Sequence, residues 1–77
     1  MNFAHLDPKT NLTFGQAIVA MKQGKKIARS LWGGYWTLEE IEEVTNSTIV
    51  ATLRSGNRTV ATAYQEDILA EDWEVVD

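Results

Sequence analysis

Residues 13–24 read TFGQAIVAMKQG, and this stretch decides how the chain begins to fold. Thr13 has the side chain of a helix N-cap, and Gln16, three residues later, completes a capping box. The apolar positions that follow recur at helical spacing, and they are Phe14, Ala17, Ile18 and Met21. Gly24 is a typical C-terminal stop. The sequence therefore predicts a helix from Thr13 to Gln23.

The sequence after this helix favours β-strands. Short apolar runs bounded by turn residues indicate strands at Lys26–Arg29, Thr48–Leu53, Arg58–Ala63 and Trp73–Val76. The turn Ser55-Gly56-Asn57 joins the second and third of these runs into a hairpin. Residues 37–44 fit a strand or a helix by periodicity, and we favour a strand because no helix cap precedes them.

A short helical turn is expected just before the last strand. In Tyr64–Ala70, acidic residues would lie at the N-terminal end of the turn, and Ile68 and Leu69 would face inward. The predicted fold is α+β, with one N-terminal helix packed on a small antiparallel sheet of four or five strands. We expect residues 1–12 to form an irregular extension and residues 13–77 a single domain.

The composition is that of one small globular domain. Of 77 residues, 44% are hydrophobic and 23% charged, so the chain resembles neither a disordered nor a fibrous protein. A chain of this length buries a modest core, and we expect self-association to add stability. No apolar run is long enough to span a membrane and no signal-peptide pattern begins the sequence, so a cytoplasmic location without membrane contact is expected.

The charge balance argues against a polyanion as partner. Seven Lys and Arg stand against eleven Asp and Glu, a formal net charge of −4. A protein that neutralises several backbone phosphates needs a basic patch, so we expect no DNA or RNA partner. The few cations, among them Arg29 and the pair Arg54 and Arg58 flanking a turn, suffice for a small ligand with one or two phosphates.

Catalytic and metal-binding patterns are missing from the sequence. His5 is the only histidine and lies in the irregular N-terminal stretch, and there is no cysteine. The carboxylates of residues 39–43 lack the spacing of a metal site and read as a solvated face. No glycine-rich phosphate-binding motif is present. We therefore expect no catalysis, no metal and no cofactor.

The segment SLWGGYW, residues 30–36, is the best candidate for a ligand site. Trp32 and Tyr35 could stack on a planar base, and Gly33 and Gly34 would let backbone N–H groups approach a phosphate closely. The alternative is that the aromatic rings belong to the core, which we favour for Trp36 and for Trp73 and leave open for Trp32. Arg29 could bind a phosphate, but a structural salt bridge to a carboxylate is the favoured alternative.

Two segments of the chain resemble a known family. Residues 13–36 and 64–76 are similar to the Thoeris anti-defence 2 proteins, a family of small phage and bacterial domains. The matching residues are Phe14, Ala17, Gly24, Arg29 and Trp32 in the first segment, and Gln65, Asp67, Ile68, Leu69, Ala70, Asp72 and Trp73 in the second.

This resemblance implies a function that the residue patterns alone do not. Members of the family act as sponges, which bind a cyclic nucleotide immune messenger without degrading it and so block Thoeris-type signalling. The messenger is a cyclic ADP-ribose isomer, and some members also bind cyclic dinucleotides. The members are homo-oligomers, typically tetramers, with pockets between protomers. The alternative is a small accessory module that binds a protein and no nucleotide.

The resemblance and the residue types together define the expected ligand site. Trp32 and Tyr35 would stack on the base, and Arg29 would contact a phosphate unless Asp67 or Asp72 engages it internally. Gln65 and Asp67 would bind ribose hydroxyls or an adenine edge. The favoured alternative for Asp67 and Asp72 is structural, in which they cap the helical turn or bind Arg29. The full set of candidate ligand-binding residues is Arg29, Trp32, Gly33, Gly34, Tyr35, Gln65 and Asp67.

Overall fold

The computed structural model of the chain describes residues 9–40 and 47–76. One helix, four strands, a second short helix and a fifth strand follow one another in this part of the chain. Their bounds are α1 Phe14–Lys22, β1 Lys26–Arg29, β2 Tyr35–Glu40, β3 Ser47–Thr52, β4 Arg58–Val60, α2 Gln65–Leu69 and β5 Trp73–Val76. The predicted α+β fold, with a short helix before the last strand, is confirmed.

The five strands form one antiparallel sheet with the order β4-β3-β2-β1-β5. Strands β1 to β4 pair with their neighbours in sequence, so each connection between them is short. The last strand, β5, pairs with β1 from Lys26↔Val76 to Arg29↔Trp73 and so forms the other edge of the sheet. This pairing places the C-terminal strand beside β1.

The capping box predicted for α1 is present. The Thr13 hydroxyl oxygen accepts a hydrogen bond from the Gln16 backbone N–H at 3.2 Å. The Gln16 side-chain oxygen accepts one from the Thr13 N–H at 2.9 Å. Gln23 is the C-cap and Lys22 lies in the last turn, where its charge complements the helix dipole. The predicted helix is therefore confirmed at both ends.

The core lies between α1 and one face of the sheet. Met21, Ile27 and Trp73 are the largest side chains with almost no exposure. The complete buried cluster is Leu12, Ala17, Ala20, Met21, Ile27, Trp36, Ala51 and Trp73. The small alanines of α1 let the helix approach the sheet closely enough to cover the aromatic rings.

Leu12 belongs to this core although it precedes α1. Its backbone N–H donates to the Trp73 carbonyl at 2.9 Å, and its carbonyl accepts from the Trp73 N–H at 3.1 Å. The packed part of the chain thus includes the last residue of the segment for which we expected an irregular extension. Residues 1–8 of that segment, with His5, lie outside the described residues, and the boundary at residue 12 stays a prediction.

The orientation predicted for α2 is wrong. Ile68 and Leu69 are 48% and 68% exposed, whereas Asp67 is buried. The reason is that α2 docks through polar groups: the Asp67 carbonyl accepts a hydrogen bond from the Trp73 indole N–H at 2.9 Å. A helix of only five residues presents one side chain inward, and here that side chain is a carboxylate.

The strand favoured for residues 37–44 is confirmed as far as Glu40, where β2 ends, and residues 41–46 lie outside the described residues. The predicted hairpin is also confirmed, although β4 ends at Val60 rather than at Ala63. Among the described helices, none is long and apolar enough to cross a membrane.

The capping box yields a stability prediction. We expect Thr13→Ala to lower the free energy of unfolding by about 1 kcal/mol, because the Gln16 N–H loses its acceptor at the end of the helix. Urea unfolding followed by circular dichroism measures this difference. Thr10→Ala, at an exposed position before the helix, is the matched control and should leave the midpoint unchanged; equal midpoints for the two variants would contradict the cap.

Candidate functional site

Three tryptophan rings contact one another in and beside the hydrophobic core. The Trp73 ring lies 5.3 Å from the Trp36 ring and 5.2 Å from the Trp32 ring, and Trp32 lies 5.0 Å from Trp36, all between centroids. Such tilted and edge-to-face contacts are favourable aromatic geometries. Trp36 and Trp73 are buried, which confirms them as core. Trp32 packs on this cluster and stays half-exposed.

The exposed part of Trp32 borders a cleft of about 590 Å³. Its walls come from the β1–β2 loop and the start of β2 (residues 31–36), the end of β3 and its turn (residues 51–54), and the segment around the start of α2 (Thr62, Tyr64, Glu66 and Asp67). Small-molecule sites usually have volumes of this order, with mostly apolar walls and a few polar groups. The cleft has that composition.

The structure brings five of the seven sequence-predicted site residues to this cleft, namely Trp32, Gly33, Gly34, Tyr35 and Asp67. Gln65 lies apart from it and borders a shallow surface depression with Tyr64, Glu66 and Leu69. Arg29 does not line the cleft either. The ligand role of each of these residues stays a prediction.

Arg29 is held by two carboxylates. Its Nε donates to Asp72 Oδ1 at 2.8 Å and its Nη1 to Asp67 Oδ1 at 3.2 Å. A third, longer bond runs from Nη2 to Asp72 Oδ2 at 3.4 Å. Arg29 therefore fastens the end of β1 to α2 and to the loop before β5, as in the salt-bridge alternative considered for it.

The ion pair perturbs both of its main partners. The hydrogen bond from Arg29 lowers the pKa of the Asp72 carboxyl, against the opposing effect of burial, and the Ser30 hydroxyl bonded to Asp72 lowers it further. In return, the bond to Asp72 raises the pKa of Arg29. Both groups are thus charged across the physiological pH range, so the ion pair stabilises the fold throughout that range.

Asp67 has two structural tasks besides binding Arg29. Its Oδ2 accepts a hydrogen bond from the Tyr64 backbone N–H at 3.1 Å, which begins α2. Its carbonyl accepts the Trp73 indole N–H. Since these groups occupy much of the Asp67 hydrogen-bonding capacity, the neighbouring Glu66 is the more available carboxylate on this wall of the cleft.

The two glycines of the β1–β2 loop allow close approach to other parts of the protein. A Cβ on Gly34 would collide with the Thr52 carbonyl oxygen and would also crowd the Leu53 Cα at 3.1 Å. Gly34 therefore lets β2 start directly beside the end of β3. At Gly33 the space of a side chain is filled by the guanidinium of Arg54. This space is where we expected a ligand phosphate to approach.

Arg54 lines the cleft but is absent from the seven predicted site residues, although its charge is counted among the cations available for a phosphate. It lies in the β3–β4 turn, which is closed by hydrogen bonds of 2.8 Å from the Leu53 N–H to the Asn57 carbonyl and from the Gly56 N–H to the Leu53 carbonyl. Gly56 has φ 93°, a conformation that favours glycine. The sequence marks this turn, but only the folded chain places its arginine against the β1–β2 loop.

A second group of polar residues occupies the sheet face opposite α1. Lys26 Nζ lies 4.7 Å from the centre of the Tyr35 ring, and Arg58 is paired with Glu39. The Thr37 hydroxyl also donates to Glu39, at 2.8 Å. These cations are therefore engaged away from the cleft. Within residues 9–40 and 47–76, no cluster of His, Asp or Glu has the arrangement of a metal site.

Comparison with known proteins identifies the family. The model of the Thoeris anti-defense 2-like domain matches residues 12–76. The chain is also similar to a curated protein, Thoeris anti-defense 2 of Bacillus phage SP01, with 30% identity over 87 aligned positions that cover 88% of this chain and 98% of the relative. The chain belongs to the Thoeris anti-defense 2-like family, as the resemblance of its two segments predicted.

The close approach at Gly34 predicts a large effect of a single methyl group. Gly34→Ala should lower the free energy of unfolding by about 1–3 kcal/mol, because the new Cβ must push the backbone of Thr52 aside. Thermal or urea unfolding measures the loss. Gly15→Ala is the control: it adds the same methyl group within α1, where the nearest atom lies 4.0 Å away, and should be neutral or slightly stabilising. Similar losses in both variants would refute the argument.

The ion pair of Arg29 and Asp72 predicts how stability depends on pH. Because the folded-state pKa of Asp72 lies below its ordinary value of 3.8, the ionised carboxyl stabilises the fold above that pH. This contribution is lost as the pH falls through the lowered pKa. Asp72→Asn should therefore be less stable than the wild type at pH 7, and the difference should shrink below about pH 5.

Urea midpoints at a series of pH values measure this difference. Glu71→Gln, at an exposed neighbouring position, controls for the removal of one negative charge. A gap between Asp72→Asn and the wild type that stays constant down to pH 3 would show that the pair does not shift the titration of Asp72.

Proposed function

We propose that this member of the Thoeris anti-defense 2-like family is a phage anti-defence protein that binds and sequesters a cyclic nucleotide immune messenger. The observation that carries the proposal is the half-exposed Trp32 ring, which borders a cleft of about 590 Å³ and is held rigidly by two further tryptophans. A ring fixed in this way can stack on an adenine without losing further side-chain entropy on binding.

The messenger is a cyclic ADP-ribose isomer, with cyclic dinucleotides as further ligands. These molecules combine flat bases, ribose hydroxyls and phosphates. The cleft offers a matching set of groups, with an aromatic ring at Trp32, a cation at Arg54 and a carboxylate at Glu66. Tyr35 also lines it, but its ring lies beside Lys26. The relative that supports this reading is named for its action against Thoeris defence.

The protein acts by sequestration, without catalysis and without a cofactor. A sponge must lower the free messenger below the threshold of its receptor, which requires nanomolar affinity, about −12 kcal/mol. One stacked base contributes about 1–3 kcal/mol and one charged hydrogen bond about 1.5–3 kcal/mol. Several contacts must therefore converge on the ligand, which is easier when a homo-oligomer, a tetramer in this proposal, closes the open cleft with a second protomer.

The surroundings of the cleft support such an assembly. Leu31 is 90% exposed, and Leu53 and Tyr64 are also exposed large side chains on its rim. The same apolar rim favours a second candidate function, in which the protein is a small accessory module that binds another protein and no nucleotide. The site of action in either case is the cytoplasm of the infected host.

Titration calorimetry of the purified protein with cyclic ADP-ribose isomers and cyclic dinucleotides tests the proposal. We expect nanomolar binding of at least one ligand, and heat denaturation followed by chromatography should recover that ligand chemically intact. The stoichiometry per chain shows whether protomers share a pocket. New products would indicate an enzyme, and no binding by any ligand would favour the protein-binding alternative.

A further inference from the structure

We propose that Arg54, in the β3–β4 turn, is the residue that binds the anionic group of the ligand, a phosphate or pyrophosphate. This inference rests on the proposed function, because it assumes that the nucleotide occupies the cleft beside Trp32. It assigns the charged contact to a residue outside the two segments that carry the family resemblance.

The first argument comes from the other cations near the cleft. Arg29 already makes three hydrogen bonds to Asp67 and Asp72. Freeing its guanidinium would leave two carboxylates without their partner and would release the end of β1 from α2. A ligand phosphate would have to compete with that structure for the same N–H groups, so Arg29 is an unfavourable contact.

Two other cations engage other parts of the surface. Arg58 pairs with Glu39, and Lys26 lies over the Tyr35 ring, both on the sheet face away from α1. Of the Lys and Arg side chains in the described residues, only Arg54 lines the cleft. No carboxylate in this part of the chain forms a salt bridge with Arg54. Its charge is therefore available for a ligand.

The second argument is the position of the Arg54 guanidinium. Its guanidinium lies against Gly33, where any other residue would place a Cβ. The turn that carries it is closed by two backbone hydrogen bonds of 2.8 Å. A guanidinium in this position lies at the edge of the cleft beside the β1–β2 loop, and its N–H groups match two phosphate oxygens at once.

The charges of the cleft also orient the ligand. Glu66 and Asp67 line it from the α2 segment, and Arg54 lines it from the β3–β4 turn. A phosphate is repelled by the carboxylates and attracted by the guanidinium, whereas ribose hydroxyls can donate to Glu66. The phosphate of the nucleotide therefore lies towards Gly33 and the turn, and its ribose hydroxyls lie towards α2.

Calorimetry with the tightest-binding member of the cyclic ADP-ribose isomer and cyclic dinucleotide panel tests this assignment. Arg54→Gln should weaken binding about 10- to 100-fold, the usual effect of losing a charge-assisted hydrogen bond. Arg54→Lys should fall between this variant and the wild type, because it keeps the charge but not the two-pronged geometry. Binding to Arg54→Gln should also depend less steeply on salt than binding to the wild type.

Arg58→Gln is the matched control, since it removes the same charge from the other side of the same turn, at a residue outside the cleft. It should keep wild-type affinity. If Arg54→Gln also binds like the wild type, the inference is wrong while the proposed function stands. If the wild type binds no member of the panel, both are overturned.

Gly33→Ala supplies a second variant that leaves Arg54 itself in place. Its new methyl group takes the space of the guanidinium, which can swing away because it ends a flexible side chain. We expect weaker binding with little change in the unfolding midpoint, the opposite of what backbone crowding at Gly34 produces. Unchanged affinity in Gly33→Ala would show that the position of Arg54 against Gly33 does not matter for binding.

Discussion

The burial of Trp73 is the interaction on which the rest of this small domain depends. Its indole contacts Phe14 from α1, Trp36 from β2 and Trp32 from the loop between β1 and β2. Its backbone pairs with Leu12 on one side and with Arg29 on the other, and its ring N–H is satisfied by Asp67. A chain of 77 residues has few large side chains with which to fill a core. One fully buried tryptophan therefore organises the helix, the sheet and the α2 segment together.

The candidate site follows from this arrangement because the same cluster provides its floor. Trp32 is the member of the cluster that reaches the surface, and its position is fixed by the two rings beneath it. Some polar side chains near the cleft bind other parts of the protein, and others line the cleft without such a bond to the described residues. Arg29 and Asp67 hold the walls together, whereas Arg54 and Glu66 line the cleft and are the groups proposed to contact a ligand. Residues of the same type therefore have different roles here. One arginine and one carboxylate stabilise the fold, and another arginine and another carboxylate are the proposed ligand contacts.

The sequence predicts most of the fold because the decisive signals are local. The capping box of Thr13 and Gln16 defines α1, and the turn at Gly56 defines the hairpin, without reference to the remainder of the chain. The inward orientation predicted for Ile68 and Leu69 is wrong because the Arg29 and Trp73 side chains favour a polar contact with Asp67 that no periodicity reveals. The place of Arg54 in the cleft is not predicted for a related reason, although its charge is noted. Its contact with Gly33 joins two turns that are distant in sequence, and only tertiary structure brings them together.

The pairing of β5 with β1 has a consequence for the order in which the domain folds. Strands β1 to β4 form a meander of neighbouring hairpins, whose contacts close over short loops and can appear early. The strand that completes the sheet must instead close a much longer loop, since Arg29 and Asp72 are 43 positions apart in the sequence. Until that closure, Trp32 and Trp36 lack their central partner and the wall formed by α2 is absent. We therefore expect the hairpins to form first and the candidate cleft to be completed last, in the same step that shields the aromatic core from water.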